Sequence, residues 1–125
     1  MNQNHLNRTA ITVFLFFFAT LVYSQGNTNS DVKRLLTIKF SAYTVEMDIL
    51  IQKEFSSESN FRSVYSCIPA GVVVLESKVD AGLNEKTEVE KRVKSLNKNV
   101  NYEVLLGISI SEAEKSCSSK RKLDN

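Results

Sequence analysis

The feature that most constrains the fold is an apolar segment near the N-terminus, because it decides how much chain is left to fold. Residues 10–23 are largely apolar, and the short polar stretch before them contains one basic residue, Arg8. A basic start, an apolar core and small residues at the end are the parts of a secretory signal peptide. We predict a signal peptide over residues 1–24, with Val22 and Ser24 at the −3 and −1 positions of the cleavage site.

An uncleaved membrane anchor is the alternative interpretation of this segment. The apolar run is about 14 residues long, whereas a helix needs about 20 apolar residues to cross a bilayer. We therefore expect export, cleavage, and a mature protein without a stable membrane anchor. The destination is periplasmic or extracellular, and the sequence does not separate the two.

Cleavage at this position leaves about 100 of the 125 residues, which is the length of one domain. All acidic residues lie beyond the cut, so the loss of Arg8 lowers the formal charge from +2 to +1. Such a balance predicts no preference for nucleic acid. The clustered basic residues Lys120, Arg121 and Lys122 are interpreted as a solvated tail over residues 120–125.

The cut also removes His5, the single histidine of the chain. Without histidine, a Ser-His-Asp or Cys-His nucleophile and an imidazole metal ligand are excluded. Two carboxylate pairs, Glu88 with Glu90 and Glu112 with Glu114, are candidates for acid–base chemistry, but charges near helix ends are ordinarily caps and surface groups. We therefore predict a non-enzymatic protein without a cofactor, whose function is to bind an unknown protein partner or to serve as a structural module.

The first half of the mature chain contains one strand and one ambiguous segment. Residues 25–34 are polar and predict a disordered lead-in. Residues 35–40 alternate apolar and polar side chains, with Thr37 and Lys39 on the polar side, and predict a half-buried strand. Residues 43–55 fit either a strand or a helix, and the early acidic residues Glu46 and Asp48 favour the helix. Its expected buried face is Tyr43, Met47, Leu50, Ile51 and Phe55.

A β-hairpin is predicted next. Residues 61–68 alternate, which places Phe61 and Cys67 on one face, and residues 72–79 form the second strand. Between them Pro69 fixes φ, and Gly71 is free to take a positive φ.

The remaining residues predict a helix, a strand and a closing helix. The helix covers residues 84–100, with Asn84 as its cap and apolar residues at helical spacing. The strand begins near Tyr102 and places Val104, Leu106 and Ile108 on one face. Ser111 and Glu114 match a capping box for the closing helix. The apolar stripe of that helix is Ile110, Ala113 and Cys117.

The order β-α-β-β-α-β with an added helix predicts an α+β, ferredoxin-like domain over residues 35–119, with two helices on one face of a four-stranded antiparallel sheet. In element order and size it resembles the heavy-metal-associated domains. Members of that family bind soft metals through a CxxC motif between the first strand and the first helix. The matching residues here are Ser41, Ala42, Tyr43 and Thr44, so the resemblance implies the scaffold without its metal site.

Cys67 and Cys117 are the two cysteines of the chain. In a small exported domain a disulfide between them is the leading expectation. It would close a loop of about 50 residues, worth about 4 kcal/mol in the chain-entropy model. The alternatives are a soft-metal site, in which two thiolates bind Cu(I) with help from Met47, and thiol–disulfide exchange, for which the cysteines lie unusually far apart. Tyr43, Tyr65 and Tyr102 are candidates for lining a pocket.

Overall fold

The computed structural model describes residues 32–124. The predicted signal peptide and most of the predicted lead-in lie outside these residues. The elements, in chain order, are β1 (Leu35–Phe40), α1 (Val45–Glu54), β2 (Phe61–Cys67), β3 (Val72–Ser77), α2 (Leu83–Leu96), β4 (Tyr102–Leu106) and α3 (Ile110–Leu123). The four strands form one antiparallel sheet in the order β2-β3-β1-β4. The fold is the predicted ferredoxin-like arrangement with an additional C-terminal helix.

The sheet has two different faces because β1, at its centre, points successive side chains to opposite sides. Leu36, Ile38 and Phe40 lie on the first face, where they pack with residues of α1 and α2. Leu35 lies on the second face, where α3 supplies the cover. The first face therefore carries the main core of the domain, and the second face carries a smaller one.

Helix α1 confirms the helical interpretation of residues 43–55. The hydroxyl of Thr44 accepts a hydrogen bond from the Met47 N–H at 3.2 Å and so caps the helix. Met47 and Ile51 are buried against the sheet. The expected burial of Leu50 is wrong: 41% of this residue is exposed, because it lies to the side of the contact between helix and sheet.

Helix α2 begins two residues earlier than the sequence predicts. Its N-cap is Gly82 rather than Asn84, and the carboxylate of Glu85 accepts a hydrogen bond from the Gly82 N–H at 2.8 Å. The helix ends at Leu96, and Val100 packs on the core from the following loop. A glycine has no side chain that marks it as a cap, which explains the error.

Strand β2 contains a bulge that alternation alone did not reveal. The register with β3 shifts between Ser63 and Tyr65. After this bulge, each side chain of β2 points to the face opposite to the one that simple alternation predicts. Phe61 packs in the core of the first face, whereas Tyr65 packs on the second face. Cys67 pairs with Val72 of the second face. The expectation that Phe61 and Cys67 share one face is therefore wrong.

The hairpin turn after β2 depends on glycine, as expected. Gly71 has a φ of +63°, and a Cβ atom there would lie 2.5 Å from the carbonyl oxygen of Phe40. The Phe40 N–H donates a hydrogen bond to the Gly71 carbonyl at 2.7 Å. A larger residue at position 71 would push the hairpin away from β1.

Strand β4 ends earlier, and α3 begins earlier, than predicted. Gly107 follows β4 with a φ of +76° and turns the chain, so Ile108 does not continue the face of Val104. Ser109 is the N-cap of α3, and its capping-box partner is Glu112, two residues before the predicted pair. The helix continues to Leu123. The basic cluster predicted as a tail at residues 120–125 therefore lies mostly within its last turn.

Candidate functional site

The two cysteines form a disulfide, as expected. Their sulfur atoms are bonded and their Cα atoms lie 6.0 Å apart. The bulge in β2 makes this bond possible, because it turns Cys67 towards the second face, over which α3 carries Cys117. Cys67 is 2% exposed and Cys117 is 3% exposed, so the bond is shielded from external thiols. It joins the start of the β2–β3 turn to the middle of α3.

The loop between β1 and α1, residues 41–44, is filled by an aromatic side chain. Tyr43 stacks on Phe40 with ring centroids 4.6 Å apart, and its hydroxyl donates a hydrogen bond to the Asp48 carboxylate at 2.7 Å. Burial, followed by that hydrogen bond and the charge of Asp48, raises the pKa of the Tyr43 hydroxyl. Tyr43 therefore has a packing role. Within residues 32–124, three or more His, Cys, Asp or Glu side chains do not cluster as a metal site would require.

The other candidate groups do not converge on one site. Tyr102 lies near Phe40 on the first face, whereas Tyr65 packs on the second face. Glu90 lies 3.9 Å from Lys86 on the surface of α2. The Glu112 carboxylate accepts two hydrogen bonds from Ser109, one from its backbone N–H and one from its hydroxyl. These bonds, the backbone one first, hold the pKa of Glu112 below the usual range. Glu112 therefore caps a helix, and the two tyrosines pack on opposite faces of the sheet.

The second face contains an open groove that sequence analysis did not identify. Helix α3 has its main contacts with β3 and β2, and Lys39 of β1 is exposed on the same face. Two adjoining cavities of about 430 and 190 Å³ lie along this flank of the helix. We call them together the α3 groove. Their walls share Lys39, Val72 and Ser116.

The smaller cavity of the α3 groove is lined by Thr37, a buried residue whose hydroxyl has no partner among the described residues. Thr37, on β1, is 0% exposed, and its Oγ1 atom has no hydrogen-bond partner among the described residues. The same cavity is lined by Ile108, Glu112 and Ala113. A buried polar atom without a partner costs about 1–3 kcal/mol. Thr37 is therefore the most unusual polar group in the described part of the domain.

The larger cavity is basic and partly apolar. Lys39 from β1 and Lys115 and Lys120 from α3 line it. Its other walls are Ala70, Val72, Ser116, Ser119 and Leu123. Sequence analysis assigned Thr37 and Lys39 only to the polar side of a strand. The path of α3 across the sheet, which brings its side chains over that strand, depends on the bulge and the disulfide.

Comparisons with known proteins identify no relative: protein-family models, curated proteins and solved structures all give no match to this chain. Among residues 32–124, every helix falls short of the length and apolar character needed to span a membrane.

Proposed function

We propose that this protein is an exported, non-enzymatic binding module, and that its α3 groove receives a segment of a partner protein. The observation that carries the proposal is the Thr37 hydroxyl, which is buried beside an open cavity and has no partner among the described residues. A bound peptide group could accept or donate the missing hydrogen bond. The order of the elements resembles that of heavy-metal-associated domains, and the proposed binding surface lies beside α3 rather than in the loop between β1 and α1.

Export is supported by the N-terminal sequence and by the disulfide. Structural disulfides persist in oxidising compartments outside the cytosol. Mature protein purified from an exporting cell should begin at Gln25, and its peptide map should contain Cys67 joined to Cys117. An N-terminus at Met1, or two freely alkylated thiols, would contradict export.

The thiol-based alternatives require reduced cysteines. With the disulfide intact, neither sulfur is a thiolate that could bind Cu(I) or attack another disulfide. The sulfur atoms belong to residues that are 2% and 3% exposed. We therefore favour a structural role, in which the bond holds α3 against the sheet and so shapes one wall of the groove.

A photocrosslinking experiment in exporting cells tests whether the groove binds a protein. A photoreactive residue at Ser119, which lines the larger cavity, should give a discrete crosslinked product. The same residue at Ser118, an exposed neighbour on α3 that does not line either cavity, is the matched control. The substitution Ser116→Trp should fill the groove and remove the product, whereas Ser118→Trp should not. Equal products from both positions, or a product that survives Ser116→Trp, would contradict the proposal.

A further inference from the structure

We infer that the ligand of the α3 groove is an acidic, extended peptide segment in which carboxylates alternate with apolar side chains. This inference rests on the proposed function and specifies its chemistry. Lys39, Lys115 and Lys120 line one cavity although they come from two different elements. Neither Lys39 nor Lys120 lies within 4.0 Å of a carboxylate among the described residues. Their charges are therefore available to a ligand.

Lys39 differs from Lys120 in where the fold places it. Lys120 is in the last turn of α3, where the helix dipole favours a cation. Lys39 is on the central strand β1, on the face that α3 partly covers, and no helix dipole explains it. Three cations around one cavity repel each other, and an anionic ligand would relieve that repulsion.

The acidic groups nearby do not neutralise this cluster. Glu112 lines only the smaller cavity and is engaged by Ser109, and Lys115 contributes the smallest of the effects that lower its pKa. Glu103 is opposite Lys39 in the register of β1 and β4 but does not line either cavity. The larger cavity therefore keeps its positive character.

The apolar walls and the hydroxyls indicate a peptide rather than a simple anion. Val72, Ala70 and Leu123 line the larger cavity together with the lysines, and Leu123 is 79% exposed. An alternating peptide would place apolar side chains there while its carboxylates meet the lysines. The Thr37 hydroxyl in the adjoining cavity would then donate to a peptide carbonyl.

The overall charge favours a short acidic segment over nucleic acid. The formal charge of the whole chain is only +2, whereas binding to a polyanion relies on many phosphate contacts. The other basic residues are spread over the domain and include Arg62 on β2 and Arg92 on α2, so they do not form the extended basic surface that a polyanion would need. An anionic membrane is the competing surface, and the experiment below separates it from a peptide.

The test measures the affinity of the mature protein for a fluorescent probe peptide of four Glu-Val repeats. Matched probes of four Gln-Val and four Lys-Val repeats serve as controls. The Glu-Val probe should bind at least about tenfold more tightly than the Gln-Val probe, a difference of about 1.4 kcal/mol, and the Lys-Val probe should not bind. Added salt should weaken binding, because the lysines are exposed.

Variants identify the groups responsible. Lys39→Glu and Lys120→Glu should each weaken binding of the Glu-Val probe about tenfold or more. Lys94→Glu makes the same charge change on the exposed surface of α2 and should leave the affinity within about twofold. Thr37→Val should weaken binding without unfolding the protein, since valine has nearly the same shape.

Each contrary outcome has a separate meaning. Equal binding of the Lys-Val probe, or equal loss in Lys39→Glu and Lys94→Glu, would overturn the acidic-peptide inference. Lysine-dependent binding to vesicles with anionic lipid, without binding of the Glu-Val probe, would also overturn it in favour of a membrane. A crosslink at Ser119 that survives Ser116→Trp would overturn the proposed function itself. A crosslink that Ser116→Trp removes, without lysine dependence, would overturn only the ligand chemistry.

Discussion

The two faces of the sheet are built on different principles. The first face is covered by α1 and α2 and contains thirteen buried residues in one apolar cluster among the described residues. The second face is crossed by α3 alone, and its corresponding cluster contains four. Apolar burial is the main source of stability, so the first face holds the fold together. A covalent bond supplies part of what the second face lacks in apolar area.

The two faces also differ in how their polar side chains are hydrogen-bonded. On the first face, Arg92 donates hydrogen bonds to the Glu54 carboxylate at 2.7 Å, to the Glu54 carbonyl and to the Ser59 hydroxyl. Its guanidinium also lies 4.9 Å from the ring centroid of Phe55. On the second face, Thr37 has no partner among the described residues. One face therefore pairs its buried polar groups, whereas the other leaves a buried hydroxyl unpaired among the described residues.

The largest loss of unfolding free energy should come from substitution in the core of the first face. Two adjacent residues of β1 that point to opposite faces allow a matched comparison. Leu36 is 0% exposed in the main core, and Leu35 is 8% exposed on the second face. Leu36→Ala should lower the free energy of unfolding by about 3–5 kcal/mol, and Leu35→Ala by about 2 kcal/mol, because a partly open site collapses more easily. Urea unfolding measures both. Equal losses of unfolding free energy in the two variants would contradict the claim that the first face contributes more stability than the second.

Removing the disulfide should have the next largest effect. The double variant Cys67→Ala, Cys117→Ala should lose about 2–4 kcal/mol of unfolding free energy, because the closed loop no longer restricts the unfolded chain. Amides of α3 should exchange faster while those of α1 and α2 keep most of their protection. The reduced native-sequence protein is the control, since it lacks the bond but keeps the side-chain volume. A loss below about 0.5 kcal/mol would show that packing alone holds α3.

Substitution of one arginine on each face should show the same difference in stability, with smaller losses of unfolding free energy. Arg92→Met should cost about 2 kcal/mol, because it removes charged hydrogen bonds and leaves Glu54 partly buried without its partner. Arg62→Met breaks the cross-strand pair with Glu76 on the second face, whose side chains are 56% and 39% exposed, and should cost about 0–1 kcal/mol. Thermal unfolding of both variants measures the difference. A larger loss in Arg62→Met would contradict the assignment of stability to the first face.

The smallest effect concerns pH and the start of α3. The Ser109 N–H and hydroxyl lower the pKa of Glu112 in the folded protein. The stabilisation is therefore present above the ordinary glutamate pKa of about 4.3, and it is lost as the pH falls through the lower folded value. The change in urea midpoint between about pH 6 and pH 3 should be smaller in Glu112→Gln than in the native protein. Glu114→Gln, at an exposed site on the same helix, should keep the full change.

Sequence patterns predicted the fold better than the candidate site. Sequence patterns were sufficient to predict all seven elements. At residues 43–55 periodicity fitted either a strand or a helix, and the early acidic residues Glu46 and Asp48 correctly favoured the helix. Val45 and Ile49, which the strand interpretation would place on one face, are 57% and 62% exposed. Cap positions moved by two residues because a glycine and a second serine serve as caps. These errors are local and leave the topology unchanged.

The groove could not be predicted because it depends on long-range geometry. The bulge between Ser63 and Tyr65 decides which face Cys67 joins, and the disulfide then helps fix the path of α3. Only that path brings Lys39 and Lys120 to one cavity. In the sequence these two lysines belong to elements that are far apart, a strand and the end of a helix, and nothing in the sequence pattern brings them together. The disulfide itself could be predicted, because export and two cysteines favour it without any geometry.

The most direct test of this account is the stability of Thr37→Val in the absence of any ligand. If the second face holds a buried hydroxyl that lacks a partner, replacing it with a methyl group should raise the free energy of unfolding by about 1 kcal/mol. Thr37→Ser, which keeps the hydroxyl and loses a methyl group, should lower it. A loss of about 1 kcal/mol or more in Thr37→Val would show that the hydroxyl is already satisfied, and the groove would lose its main claim to bind a partner.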